Sequence, residues 1–176
     1  AVLRDYPVHD GAEVERRLAL AARAFAEQGA LSFADRAVSM RRVAGLFKER
    51  RDALAELMAS EMGKPVTQGR GEVDKCALGC DYFAEHAARL LADEPVVTEA
   101  SRTFVAFRPL GIVLAVMPWN YPLWQVVRFA APALMAGNVG LLKHAANVPG
   151  CALALEDLFS AAGFPAGAFQ TLLIDH

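Results

Sequence analysis

Apolar residues recur at helical spacing near the start of the chain, at Val14, Leu18, Ala21, Ala22 and Phe25, which predicts a helix over Val14 to Glu27 with one buried face. Asp10 or Gly11 can cap its start, and Gly29 ends it. Ser32-Phe33-Ala34-Asp35 has the form of a capping box with Asp in the place of Glu. It predicts a long helix running to about Met62, with Val43, Leu46, Phe47, Leu54, Leu57 and Met58 as the apolar stripe and Arg and Glu opposite. Gly63-Lys64-Pro65 closes that helix, and a third is predicted from roughly Glu72 to Ala92.

At Pro95 the period changes. Val96-Val97-Thr98 and Thr103 to Phe107 are β-type residues on either side of the polar Glu99-Ala100-Ser101-Arg102, the pattern of a hairpin. A two-stranded hairpin is marginal alone and needs a surface to rest on. Ile112 to Met117 is continuously apolar and stops at Pro118, which cannot donate to a ladder. Such a run fits a strand buried on both faces of a parallel sheet. Leu123 to Ala136 predicts a helix kinked at Pro132. Val139 to Leu142 is a second apolar strand that ends in Lys143, Pro149 to Ala162 is an amphipathic helix, and Phe169 to Ile174 is a third strand. The β-α-β-α-β order implies an α/β fold with a parallel sheet and right-handed crossovers. Ligands of open α/β sheets bind beyond the carboxyl ends of the strands. Two strand ends here deliver polar side chains, Asn120 and Lys143.

Composition narrows the possibilities. The chain has 176 residues, 55% hydrophobic and 22% charged, enough for a folded domain of ordinary size. A net charge of −2 gives no basic surface for nucleic acid. No apolar run is long enough for a membrane span, and no basic and then apolar leader is visible. The first residue is Ala1, not Met, so processing stays open. Three cysteines without secretory spacing favour free thiols in a reducing, cytoplasmic setting. Cys76 and Cys80 share a helix face with no His or further Cys beside them, and His86 falls off that face. They are a poor metal site, and buried thiols are the better reading. Cys151 opens a helix, where a thiol pKa can fall, but it has no neighbouring base in sequence and reads as structural. The basic cluster at Arg41-Arg42 and Lys48 to Arg51 reads as a solvated helix face.

Pro118-Trp119-Asn120-Tyr121-Pro122, followed by Pro132-Ala133-Leu134, Gly137-Asn138 and Lys143, resembles the NAD(P)-dependent aldehyde dehydrogenase family. The likeness runs along nearly the whole chain and is most specific from Pro109 to Pro165. It implies that residues 1–94 and 109–176 form part of a Rossmann-like, parallel-sheet cofactor domain. Residues 95–108 would then be a β-hairpin oligomerisation element. Asn120, otherwise an ordinary turn residue, would be catalytic, its amide donating to the developing oxyanion. Met117, Pro118, Trp119 and Asn120 would line the cofactor, and Lys143 would hydrogen-bond the adenosine ribose.

After that lysine the family often has Pro-x-Glu, whereas this chain has His144, Ala145 and Ala146. The missing carboxylate would have accepted from the ribose 2′-hydroxyl and repelled a 2′-phosphate, so NADP is expected to be accepted as well as NAD. His144 is either a contact to that phosphate or an ordinary loop histidine. Arg128 interrupts an apolar run and must be paired or reach solvent. Resemblance to the family's bacterial succinate-semialdehyde members implies that it holds the substrate's distal carboxylate, with Trp124 nearby on the substrate side.

The complete enzyme would oxidise succinate semialdehyde to succinate through a thiohemiacetal on a Cys. That Cys, the general-base Glu and a Gly-rich turn lie in motifs beyond His176. The chain is therefore expected to be an N-terminal portion without the catalytic domain, inactive alone. The alternative is a non-catalytic module for binding or assembly. The partners expected are a small aldehyde with a distal carboxylate and further copies of the chain, with no metal, nucleic acid or membrane.

Overall fold

The computed structural model describes residues 4–175. Helix α1 (Gly11–Ala30) begins where the Asp10 carboxylate accepts from the Glu13 backbone N–H at 2.8 Å. Helix α2 (Phe33–Glu49) begins with the capping box read from the sequence. The Ser32 hydroxyl accepts from the Asp35 N–H, and the Asp35 carboxylate accepts from the Ser32 N–H. The long helix expected to run on to Met62 is instead two, because Arg50 leaves helical geometry (φ −98°, ψ 17°) and α3 (Arg51–Met62) restarts after it. Neither Gly nor Pro marks this break. Both halves pack on α4, and tertiary contact sets the bend.

Helix α4 (Val66–Leu90) starts a turn and a half before the expected Glu72. The expectation stopped short of Gly69 and Gly71, yet Gly69 is a contact residue. A side chain there would sit 3.1 Å from the Ala55 Cα, so glycine lets α3 and α4 approach closely.

The hairpin exists with shorter and shifted pairing. Strands β1 (Glu94–Pro95) and β2 (Phe104–Val105) are antiparallel, with Glu94 opposite Val105, so the ladder lies outside the expected Val96 to Thr98. Its apolar residues Val97, Phe104 and Val105 remain exposed, and among the described residues no third strand extends the pairing.

Strands β3 (Ile112–Met117), β4 (Val139–His144) and β5 (Phe169–Thr171) form a parallel sheet in the order β3-β4-β5. Helices α5 (Trp124–Met135) and α6 (Pro149–Ala161) are the crossovers. Two successive right-handed crossovers stepping in one direction put both helices on one face. Side chains agree: the Thr171 hydroxyl donates to the Ala152 carbonyl of α6, and Phe169 stacks on Phe159 at 4.6 Å between ring centres. Helices α2, α3 and α4 pack outside α5 and α6, and α1 covers part of the opposite face.

That opposite face is incomplete. Leu114 and Val116 of β3 are 59% and 68% exposed, although parallel strands are normally covered on both sides. The expectation of a β3 buried on both faces is thus corrected. Only Val113, Ala115 and Met117 turn toward the helices, and β3 has one strand neighbour among the described residues.

Candidate functional site

Pro118 ends the β3 ladder, and residues 118–123 turn the chain into α5. Three side chains from other elements hold this turn. The Glu72 carboxylate of α4 accepts from the Leu123 and Trp124 N–H groups, each at 2.9 Å, and so satisfies the leading donors of α5. Its other oxygen pairs with the Lys64 ammonium, both side chains being almost fully buried. The same ammonium lies 4.0 Å over the Tyr121 ring. From β4, the His144 ring lies 2.8 Å from the Pro122 carbonyl. Trp119 and Asn120, at the tip of this clamped turn, are exposed.

The second strand–helix junction is built alike. The Glu61 carboxylate accepts from the Gly150 and Cys151 N–H groups at 2.6 and 2.9 Å and caps α6. A dinucleotide pyrophosphate commonly rests on a helix N-terminus of this kind. Here both are taken by carboxylates, so such a seat would have to come from a helix outside these residues.

On the α1 side of the sheet, an open apolar groove of about 780 Å³ runs along Val14, Leu18, Leu114, Val116 and Met117 to Lys143. Register aligns Val116 with Lys143 and Met117 with His144, so Lys143 emerges beside the end of β3. Its wall is apolar, with Lys143 and Asp175 as the charged groups that line it. A smaller depression of about 250 Å³ follows, bordered by Ala145, Ala146 and Tyr6.

The expected site residues therefore fall into three groups. Met117, Lys143 and Ala145 line the groove, with Ala146 just beyond. Pro118, Trp119 and Asn120 sit on the exposed turn, and the Asn120 amide makes no hydrogen bond among the described residues. Trp124 and Arg128 lie on α5, behind the sheet from the groove. Trp124 packs against Gly79 and carries the Lys75 ammonium 4.3 Å over its ring. Arg128 is exposed and has no ion pair among the described residues.

His144 requires a correction. Its ring is buried, and its nitrogens are committed to Pro122 and to the Ala145 N–H, at 2.8 Å each. The ring so engaged is not offered to a cofactor phosphate.

Glu72, Lys64 and Glu61 were missed by the sequence reading. Glu72 heads the buried stripe of α4 that continues through Cys76 and Cys80, and an acid in that register was the available signal.

The cysteines are inert in this setting. All three are buried and free, and burial is the first cause of the raised thiol pKa of Cys76, Cys80 and Cys151. Brief iodoacetamide treatment of the native protein should leave all three unlabelled by peptide mass mapping, and labelling should follow addition of urea. Labelling of any of them in the native protein would contradict this burial. Among the described residues, no group of three or more His, Cys, Asp or Glu is arranged to hold a metal, and no helix is long and apolar enough to cross a membrane.

Comparison with known proteins places this geometry. The sequence profile of the aldehyde dehydrogenase family matches residues 1–175, and the chain belongs to that family. It is 55% identical, over 98% of its length, to a probable NADP(+) succinate-semialdehyde dehydrogenase of Synechocystis sp., of which it covers 38%. It is 53% identical, over 92% of its length, to NADP(+) succinate-semialdehyde dehydrogenase 1 of Mycobacterium tuberculosis, of which it covers 36%. Among solved structures, the succinic semialdehyde dehydrogenase of Streptococcus pyogenes in complex with NADP+ superposes with a TM-score of 0.95 at 32% identity, covering 99% of this chain and 38% of that one. The chain thus spans little more than a third of the length of these relatives.

Proposed function

We propose that these residues are the N-terminal part of a succinate-semialdehyde dehydrogenase that accepts NADP, and that the complete enzyme oxidises succinate semialdehyde to succinate. The observation that carries the reading is the position of Asn120. It lies on the turn between a groove ending in Lys143 on one side of the sheet and the helix bearing Arg128 on the other. A cofactor approaching from the groove and an aldehyde approaching along α5 would meet at that turn. The Asn120 amide then donates to the oxyanion, Lys143 holds a ribose hydroxyl, and Arg128 takes the distal carboxylate. A bound NADP supplies the hydride acceptor. Ala146 itself brings no carboxylate to that end of the groove, where Arg4 stands with Asp5 and Asp175 around the adjoining depression.

The exposed Val97, Phe104 and Val105 of the hairpin support its use as a contact between subunits of a homo-oligomer. The free, buried cysteines favour a reducing compartment such as the cytoplasm.

The test is a substrate comparison in the full-length protein. Arg128→Ala should raise KM for succinate semialdehyde by about tenfold or more and leave KM for an uncharged aldehyde of similar length nearly unchanged, as expected for a lost charge-assisted hydrogen bond. The native protein should use NADP at least as well as NAD. Equal effects on both aldehydes would remove the carboxylate role, and a strong preference for NAD would remove the cofactor assignment.

A further inference from the structure

We infer that His144 is a positioning residue for Asn120: its imidazole donates from Nε2 to the Pro122 carbonyl and latches the end of β4 to the turn that carries the amide. The inference rests on the reading of Asn120 as the oxyanion donor.

The tautomer follows from the partners. The Ala145 N–H can only donate, so Nδ1 must accept, and the hydrogen sits on Nε2. The Pro122 carbonyl can only accept, which requires the same assignment. The latch joins residues 22 apart in sequence. It acts on the carbonyl immediately before the two N–H groups that Glu72 holds from α4. The backbone leaving Asn120 and Tyr121 is therefore fixed from β4 on one side and from α4 on the other. A proline at 144 would have no donor and could not form the latch.

A proton added at Nδ1 would face the Ala145 N–H and break that contact, while the Nε2 donation to Pro122 persists in either charge state. Burial lowers the His144 pKa from its ordinary 6.5. The unfolded chain therefore takes up the proton first. The stability that goes with the neutral, buried ring is complete above that ordinary value and is lost as pH falls below it. The backbone carbonyls of Pro122 and Met117, and then Glu61 on α3 and Glu72 on α4, face the ring and favour the cation. Lys64 is paired with Glu72, Lys143 precedes His144 on β4 and projects to the other face of the sheet, and Arg4, Asp5, Tyr6 and Asp175 border the depression next to the ring.

The test uses the full-length protein with His144→Ala, His144→Pro and His144→Gln, the last of which keeps a neutral donor. The Ala and Pro variants should lose roughly tenfold in kcat, with KM for NADP moved by no more than about twofold, as expected for a displaced catalytic group and not a lost cofactor contact. The Gln variant should recover most of the loss. Independently of activity, nitrogen-15 spectra should give the His144 ring as the neutral Nε2–H form at about pH 7. A ring that carries its hydrogen on Nδ1 alone overturns the latch, as does a kcat within about twofold of native in both Ala and Pro variants. A protein that oxidises no aldehyde but carries the Nε2–H ring keeps the latch and overturns only the proposed function.

Discussion

Asn120→Ala in the full-length enzyme is expected to lower kcat for aldehyde oxidation by about 10²–10³-fold, the usual cost of removing one oxyanion donor. The size of the effect depends on preorganisation. A donor that must be reoriented during the reaction contributes little, whereas one already fixed contributes its full electrostatic value at the moment charge develops. The turn bearing Asn120 approaches that condition, because Glu72 and His144 hold the backbone that follows it and Lys64 lies over the Tyr121 ring, while the amide is left free to donate. Affinity for NADP should change by less than about threefold, since the groove and Lys143 are untouched, and the split between kcat and KM identifies a transition-state contact. Stability should be nearly unaffected because the side chain is exposed. Steady-state kinetics and a thermal melt on the same preparation decide the matter. A loss of under about fivefold in kcat would show that Asn120 is only a turn residue.

Much of this arrangement was legible in the chain itself. The period of apolar residues gave the helices and the three parallel strands. The capping box at Ser32 gave the start of α2 to the residue. Pro118 and Lys143 correctly marked the ends of β3 and the region where β4 ends, because a residue without a donor and a charged residue both disfavour continuation of a buried strand.

What stayed hidden came from tertiary contact. The break at Arg50 has no local signal and follows from packing two helix segments against α4. The early start of α4 was concealed by Gly69, which is unfavourable for an isolated helix but permits close approach to Ala55. The exposed face of β3 could not be read from an apolar run, because apolarity alone does not say what packs on it, and α1 covers only part of that face. His144 was ambiguous because its partner, Pro122, is known only once β3 and β4 lie side by side.

The largest stability effect is expected at Glu72. Glu72→Ala should cost about 3–5 kcal/mol, the range for breaking a buried ion pair by removing one partner. The pair itself is weak evidence for stability, since burying two charges costs about as much as their attraction returns. Here the carboxylate does more. One oxygen meets the Lys64 ammonium, and the other accepts from the Leu123 and Trp124 N–H groups. Its removal strands a buried cation and two backbone donors at once. Glu72→Gln keeps an oxygen for those donors and removes only the charge, so it should fall between the native protein and Glu72→Ala. Lys64→Met leaves the carboxylate with both N–H partners and should cost less than Glu72→Ala. Urea unfolding followed by far-UV circular dichroism gives the order directly from the midpoints. If Glu72→Ala and Glu72→Gln unfold at the same urea concentration, the N–H bonds contribute nothing and the charge pair alone accounts for the residue. If Glu72→Ala shifts stability by less than about 1 kcal/mol, Glu72 does not hold the turn at all.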